Sequence, residues 1–437
     1  MAGSRQVLFR VILGSFIGLS GAVSASAQLR AEIVGPGVMR IPIAAAPLAP
    51  AGQADAALEA EFSRVLAGDL DISGLFRVID PASYIEGVPP GPLGPERVNF
   101  LNWQTIGARG VLLGRYERSQ DELTVEVAFF DVPGHSMLGG RRFRGRSGEI
   151  VRMAHRAADA ILEFTTGIPG PFDSKLAFVS NRGGHSRDLF TFTLDGKIDR
   201  ITNDHSVVMA PAWSPDLRSV VFTSFRDGEP ELFNADLSSK VENKIASKMG
   251  LNIGGAWRPD GSVLAVAREQ EGNTDIYTLD FRGQNQQRLT DHWGIDVDPS
   301  WSPDGTRLAF CSSRGGTPQV YTMSYPDKKV SRVTFSGNYN CSPVWSPDGR
   351  SIAYAGRMGR DFHVFVTPAG GGEARQLTFV GSNEDPTWSP DSRFIAFSRE
   401  QGKNKKIFLV DVTGRWERQL TTGDGDDTSP SWSRRLD

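Results

Sequence analysis

Apolar and polar positions change rhythm along this chain. Leu58, Phe62, Val65, Leu66 and Leu70 recur at helical spacing and predict an amphipathic helix over 54–70. Ile150, Met153, Ala154, Ala157, Ile161 and Leu162 predict a second helix that stops at Gly167. Between them the period shortens. Residues 75–79 read as a strand, 111–116 and 123–130 as a hairpin turning at Ser119-Gln120-Asp121, and 141–144 as a third strand. The proline- and glycine-rich stretch 86–95 is a loop, and Pro169-Gly170-Pro171 is a stiff boundary. Residues 28–169 thus form a small α/β domain.

Beyond that boundary the pattern repeats. Trp213, Trp257, Trp301, Trp345, Trp388 and Trp432 follow one another at steps of 44, 44, 44, 43 and 44 residues. Ser-Pro-Asp follows four of these tryptophans, and Arg258-Pro259-Asp260 follows Trp257. After each turn comes a β-branched and aromatic run, such as Val220-Val221-Phe222 or Leu308-Ala309-Phe310. A second run follows about twelve residues later, as at Leu232-Phe233 or Ile276-Tyr277, and a third ends in Leu-Thr or Val-Thr. Four short strands per repeat make one blade of a β-propeller. The Trp segment is expected to be the innermost strand, and Pro-Asp-Gly the tight turn after it. The first unit lacks a Trp strand, while residues 428–432 are a Trp strand with nothing to follow. Joining the two gives six blades over 170–437 and leaves no open edge.

The segment 1–27 belongs to neither unit. Arg5 and Arg10 precede an apolar run over 11–23, too short to span a bilayer comfortably, and Ala25-Ser26-Ala27 supplies the small residues of a cleavage site. A signal peptide cut before Gln28 is expected, and hence an exported, soluble mature protein. Losing two arginines leaves 46 basic against 51 acidic residues, net −5, so nucleic acid is not an expected partner. The two cysteines exclude a disulfide scaffold. Cys311 closes a second strand and Cys341 opens the next inner strand, both near one channel mouth. An oxidising compartment permits a bond, but spacing along the chain cannot supply the Cα distance.

Catalytic motifs are not readable. There is no Gly-x-Ser-x-Gly elbow, no HExxH or CxxC spacing and no phosphate-binding GxxxxGK[ST] loop. No catalytic residue, metal ligand or cofactor is assigned. Six segments precede the inner strands, 207–210, 251–254, 294–298, 338–342, 382–385 and 423–428, and they converge on one mouth. Three carry acids: Asp296 and Asp298; Glu384 and Asp385; Asp424, Asp426 and Asp427. Each acid beside a proline is as well explained by turn capping. Together they predict an electronegative mouth suited to a basic partner segment or a hard cation.

A cleaved leader, an α/β domain and six Trp-bearing blades, four with Trp-Ser-Pro-Asp, closed by the last strand resemble the TolB family of periplasmic propellers of the Tol–Pal envelope system. The resemblance runs over the whole mature chain; the blade motif is shared with other propellers, and the order of parts is the more specific feature. It implies a non-catalytic adaptor, the mature N-terminus pairing with the inner-membrane protein TolA and the propeller mouth binding the outer-membrane lipoprotein Pal. It further implies support of outer-membrane integrity and of constriction at cell division, with other outer-membrane proteins or lipoproteins as further partners and a monomeric state. By position, the TolA-binding segment is Gln28, Leu29, Arg30, Ala31, Glu32 and Ile33; Ala31 is smaller than the aliphatic residue expected, and Gly35-Pro36-Gly37 follows closely. The Pal-facing positions are Leu251, Asn252, Val297 and Asp298, with Asp296 and Glu384 beside them. Two rivals stay open. An exported lactonase- or peptidase-like propeller needs a polar catalytic set, and a glycan-binding propeller needs aromatic mouth loops, where Trp293 and Tyr339 stand.

Overall fold

The computed structural model describes residues 40–436 except 183, 185, 204 and 246–251. The leader and the expected TolA-binding segment lie outside the described residues. The N-terminal domain runs β1 (Ile41–Ala45), α1 (Ala56–Ile72), β2 (Phe76–Val78), α2 (Phe100–Thr105), β3 (Gly110–Ser119), β4 (Glu122–Asp131), β5 (Ser136–Arg146) and α3 (Ile150–Thr166). Its sheet order is β2-β1-β3-β4-β5, with β1 parallel to both neighbours, a two-residue strand Ala49–Pro50 also parallel to β3, and the pairs β3–β4 and β4–β5 antiparallel. Asp55 caps α1 by accepting the Leu58 N–H at 3.2 Å, and Gly167, at φ 79°, ends α3 in the left-handed conformation. α1 and α3 bury their apolar stripes on one sheet face, while Trp103 and Phe100 of α2 cover part of the other. The expected helices and hairpin are present. β1 and α2 were not expected: Pro42 argues against a central strand, and α2 is too short to show a period.

The propeller has six four-stranded sheets. The Trp strands Val208–Trp213, Asn252–Trp257, Asp296–Trp301, Asn340–Trp345, Asn383–Trp388 and Asp427–Trp432 are innermost, each contacting its neighbours around the ring. The last of them pairs with Lys175–Ser180, Asp427 opposite Ser180 and Trp432 opposite Leu176, so the final strand closes the first blade.

The repeated residues each have a job. Indole N–H groups of Trp213, Trp301 and Trp388 donate to Ser431, Ala256 and Val344 carbonyls of the preceding inner strand, at 2.9, 3.1 and 3.0 Å. The tryptophan is therefore both wedge and tie between blades. In the Ser-Pro-Asp turns the serine hydroxyl donates to the aspartate two residues on, as in Ser214 to Asp216 at 2.6 Å and Ser302 to Asp304 at 2.5 Å. The serine bond is the main reason the Asp304 carboxyl falls to about 2. The recurring threonine accepts a third-strand N–H: Leu189 to Thr202, Ile276 to Thr290 and Val320 to Thr334, each at 2.9 Å.

The two domains share a core. α1 and α3 pack against Phe190, Phe192, Leu194, Phe394, Ile407, Leu409 and Trp432 of the first and last blades. Leu194 and Trp416 lie on turns between outer strands, and Trp432 ends an inner strand. The N-terminal domain thus sits at the end of the propeller where the inner strands finish. Polar links reinforce it. His155 Nδ1 of α3 meets Asp69 of α1 at 2.7 Å, and its Nε2 stands 3.8 Å from Asp195 of the first blade. Arg418 of the last blade reaches Asp71 at 3.1 Å. Cys311 and Cys341 are bonded, Cα atoms 5.0 Å apart, joining the second strand of one blade to the inner strand of the next.

Candidate partner-binding mouth

The other end of the propeller, where the inner strands begin, is free of the described residues of the N-terminal domain. Each inner strand breaks its pairing with the second strand two residues in. At each break one residue takes positive φ: Ala210, Gly254, Asp298, Ser342, Asp385 and Ser429, between 50° and 68°. Such β-bulges re-aim a side chain. Proline follows in five of the six, tolerated because the innermost strand is the edge of its own sheet. The six form a ring around a central cavity of about 410 Å³ that runs on to the tryptophans.

Two of the six are acids. Asp298 Oδ2 accepts the Ser342 N–H at 3.1 Å and the Ser342 hydroxyl at 3.2 Å, across the blade boundary. Asp385 Oδ2 accepts from the hydroxyls of Ser429 at 3.1 Å and Ser398 at 3.4 Å. Both are open to channel water yet enclosed by channel wall. Desolvation raises both carboxyls above the usual range; mutual repulsion with Asp385 adds to it at Asp298, and Glu384 does so at Asp385. Tyr339 lies close enough to Asp298 and Glu384 for their charges to raise its phenol further, burial being the main cause.

The remaining expected residues divide. Asp296 opens its inner strand, is fully buried, and takes Arg314 Nη2 at 2.8 Å, while that guanidinium stacks 5.1 Å over Phe310 and 5.2 Å over Tyr321. Asp427 repeats the device with Arg182 at 2.6 Å. Glu384 is half-buried and paired with Lys405. Val297 is half-buried against the core of its blade. Asn252 begins its strand, and Leu251 lies outside the described residues. Three acids of the expected electronegative mouth are therefore paired with cations. Arg314, Arg182 and Lys405 balance the strand-start acids, and the two carboxylates of the ring stand deeper. Asp296 offers no carboxylate at the surface. Among the described residues no group of histidine, cysteine, aspartate and glutamate side chains is arranged to hold a metal.

An apolar arc was not foreseen. Trp293, Ile295, Phe335, Met358, Phe379 and Val380, from three consecutive blades, are each between 52% and 73% exposed. All but Met358 lie on connections into inner strands; Met358 ends a second strand at the same mouth. His292 packs beside Trp293, and Arg332 stacks 5.2 Å over Phe335. Large apolar side chains massed on one rim mark an interaction surface. The signal is in the sequence: Phe335 and Phe379 directly follow the repeated threonine, three residues ahead of segments 338–342 and 382–385.

Comparison with known proteins sets this architecture in context. The profile of the TolB beta propeller domain matches residues 162–436, and that of the TolB amino-terminal domain residues 29–138. The chain is similar to a Tol-Pal system protein TolB of Syntrophotalea carbinolica, 40% identical over 196 residues, 44% of this chain and 45% of that protein. It is likewise similar to one of Roseobacter denitrificans, 35% identical over 231 residues, 52% and 51% of the two chains. The chain thus matches about half the length of these curated relatives. Among solved structures, TolB from Acinetobacter baumannii superposes with a TM-score of 0.79 at 26% identity, over 91% of this chain and 97% of that one.

Proposed function

The chain belongs to the TolB family, and from that premise we propose that it is a non-catalytic periplasmic adaptor of the Tol–Pal system. Its free mouth binds the lipoprotein Pal, and its mature N-terminal residues Gln28 to Ile33 bind TolA, so that the envelope layers are tied together and the outer membrane follows the constricting cell. The observation that carries this reading is the uncovered mouth with its apolar arc, set opposite the face occupied by the N-terminal domain. Apolar anchors supply area, and Asp298 with Glu384 supplies directional acceptors around it. Val297 and Asn252 belong to inner strands that start at the same rim, and Leu251 is the neighbour of Asn252 in sequence. Asp296 serves from behind, holding Arg314 in place.

Asp298→Asn tests the contact while keeping an oxygen for the Ser342 bonds. Hydrogen bonds to charged groups contribute about 1.5–3 kcal/mol, so Pal affinity measured by calorimetry should fall by roughly 10- to 150-fold with little change in melting temperature. Unchanged affinity for Pal removes Asp298 from the interface. Unchanged affinity after Trp293→Ala and Phe379→Ala together removes the mouth itself.

A further inference from the structure

The outer edge of β5 is an unused strand template. β5 is the last strand of the N-terminal sheet, and among the described residues nothing pairs with its far side. It is eleven residues long, twice an ordinary strand. Its inner face is spent on α3: Phe143 is buried and Arg141 meets Glu163 at 2.9 Å. The opposite face is charged in a regular way. Across three strands, Arg115 opposes Glu126, which opposes Arg142; Glu117 opposes Thr124, then Arg144; Ser119 opposes Glu122, then Arg146. The first row is joined throughout, Glu126 taking Arg115 at 2.5 Å and Arg142 at 3.0 Å. All three rows end on arginine at the free edge. Arg144 and Arg146 are exposed and make no ion pair among the described residues. The Arg146 N–H is taken by Glu149, so the open backbone runs up to Gly145.

We propose that β5 accepts a fourth antiparallel-sheet neighbour, an extended peptide segment with acidic residues at alternate positions, by strand addition. Main-chain bonds to an open edge supply affinity, and alternating side chains supply the choice of partner. Opposite charges directly across neighbouring strands attract and like charges repel. An acid facing each of Arg142, Arg144 and Arg146 continues the alternation already present in the Arg115–Glu126–Arg142 row. The same arginines repel a second copy of β5, which keeps the edge open rather than self-paired. This site is remote from the propeller mouth and independent of the reading given above.

The test uses the full mature chain and a fluorescent peptide, Thr-Glu-Val-Glu-Thr-Glu-Val, titrated by anisotropy. Saturable binding is expected. Arg144→Glu with Arg146→Glu should weaken it about tenfold or more and create binding to the peptide with lysine in place of glutamate. N-methylation of alternate peptide amides should abolish binding to the unaltered chain, since it removes the ladder and leaves the charge. No binding, binding indifferent to charge reversal, or binding indifferent to N-methylation each overturns the proposal. So does a dimer in sedimentation that the two reversals disperse, because the edge is then covered by a second copy.

Discussion

Replacing Cys311 and Cys341 together by alanine removes a cross-link between neighbouring blades. Both are buried, at 2% and 6% exposure, so alanine leaves no stranded hydroxyl. The bridge closes a loop with a sequence separation of 30. Chain-entropy arithmetic for such a loop gives about 12 cal/mol/K, or about 3.6 kcal/mol at 25 °C. That is a large part of the roughly 5–15 kcal/mol typical of a folded domain. For a unit of about 250 residues, it corresponds to a drop in Tm of about 7–14 °C. The loss should fall on the propeller, whose tryptophans report it: equilibrium urea unfolding by tryptophan fluorescence should show a lower midpoint for the double variant. The unaltered chain should shift alike under reductant. Thiol labelling of the denatured, unreduced protein should find no free thiol. Two free thiols without reductant, or coincident midpoints with and without the bridge, would refute the reasoning.

Deleting residues 428–437 removes Trp432 and most of the strand that closes the first blade; losing a large buried aromatic alone costs about 3–5 kcal/mol, and an unchanged melt would disprove the latch. Removing residues 28–34 should abolish TolA binding in a pulldown while the propeller melts as before, and TolA binding that survives removes that segment from the interface. Between the domains, burial lowers the His155 pKa, but the carboxylates of Asp195 and Asp69 outweigh it and raise the imidazole to about 10. A folded-state pKa above the ordinary 6.5 stabilises fully below pH 6.5 and is lost as pH rises through about 10. Asp69, raised to about 6 chiefly by burial, acts in the same direction at lower pH. Domain docking, followed by limited proteolysis between α3 and the first blade, should therefore loosen from pH 7 to 10, and His155→Asn should flatten that profile.

The fold was legible where a side chain does one job in every blade. Trp at a 44-residue step reads as an inner strand because the indole is the wedge between blades, and three of the six also donate to the preceding inner strand. The Leu-Thr ending is visible because each threonine hydroxyl takes one third-strand N–H. The long helices announced themselves by stripes that the shared core later buries. β1 was hidden by Pro42 and by its alanines, since its place in the sheet is set by parallel neighbours distant in sequence. No local pattern encodes that. The interdomain cluster of Asp69, His155 and Asp195 was invisible for the same reason: its members are 40 to 126 residues apart and meet only after docking.

The mouth was half legible, and the reason lies in two alternate positions of one strand. Asp296 and Asp298 look alike in sequence, two acids flanking Val297. In the sheet, a strand sends alternate side chains to the same face, so both would share one environment. The bulge after Val297 breaks that rule. Asp296 stays in the regular ladder and turns into the blade, where Arg314, held by Phe310 and Tyr321, is its counter-charge. Asp298, at φ 53°, is swung toward the axis and meets Ser342 of the next blade. Burying an acid is tolerable only with a partner, and the arginine eighteen residues on is that partner. The two acids therefore separate into one that builds the rim and one that faces whatever enters the channel, and the separation is made by the backbone, not by the residue type.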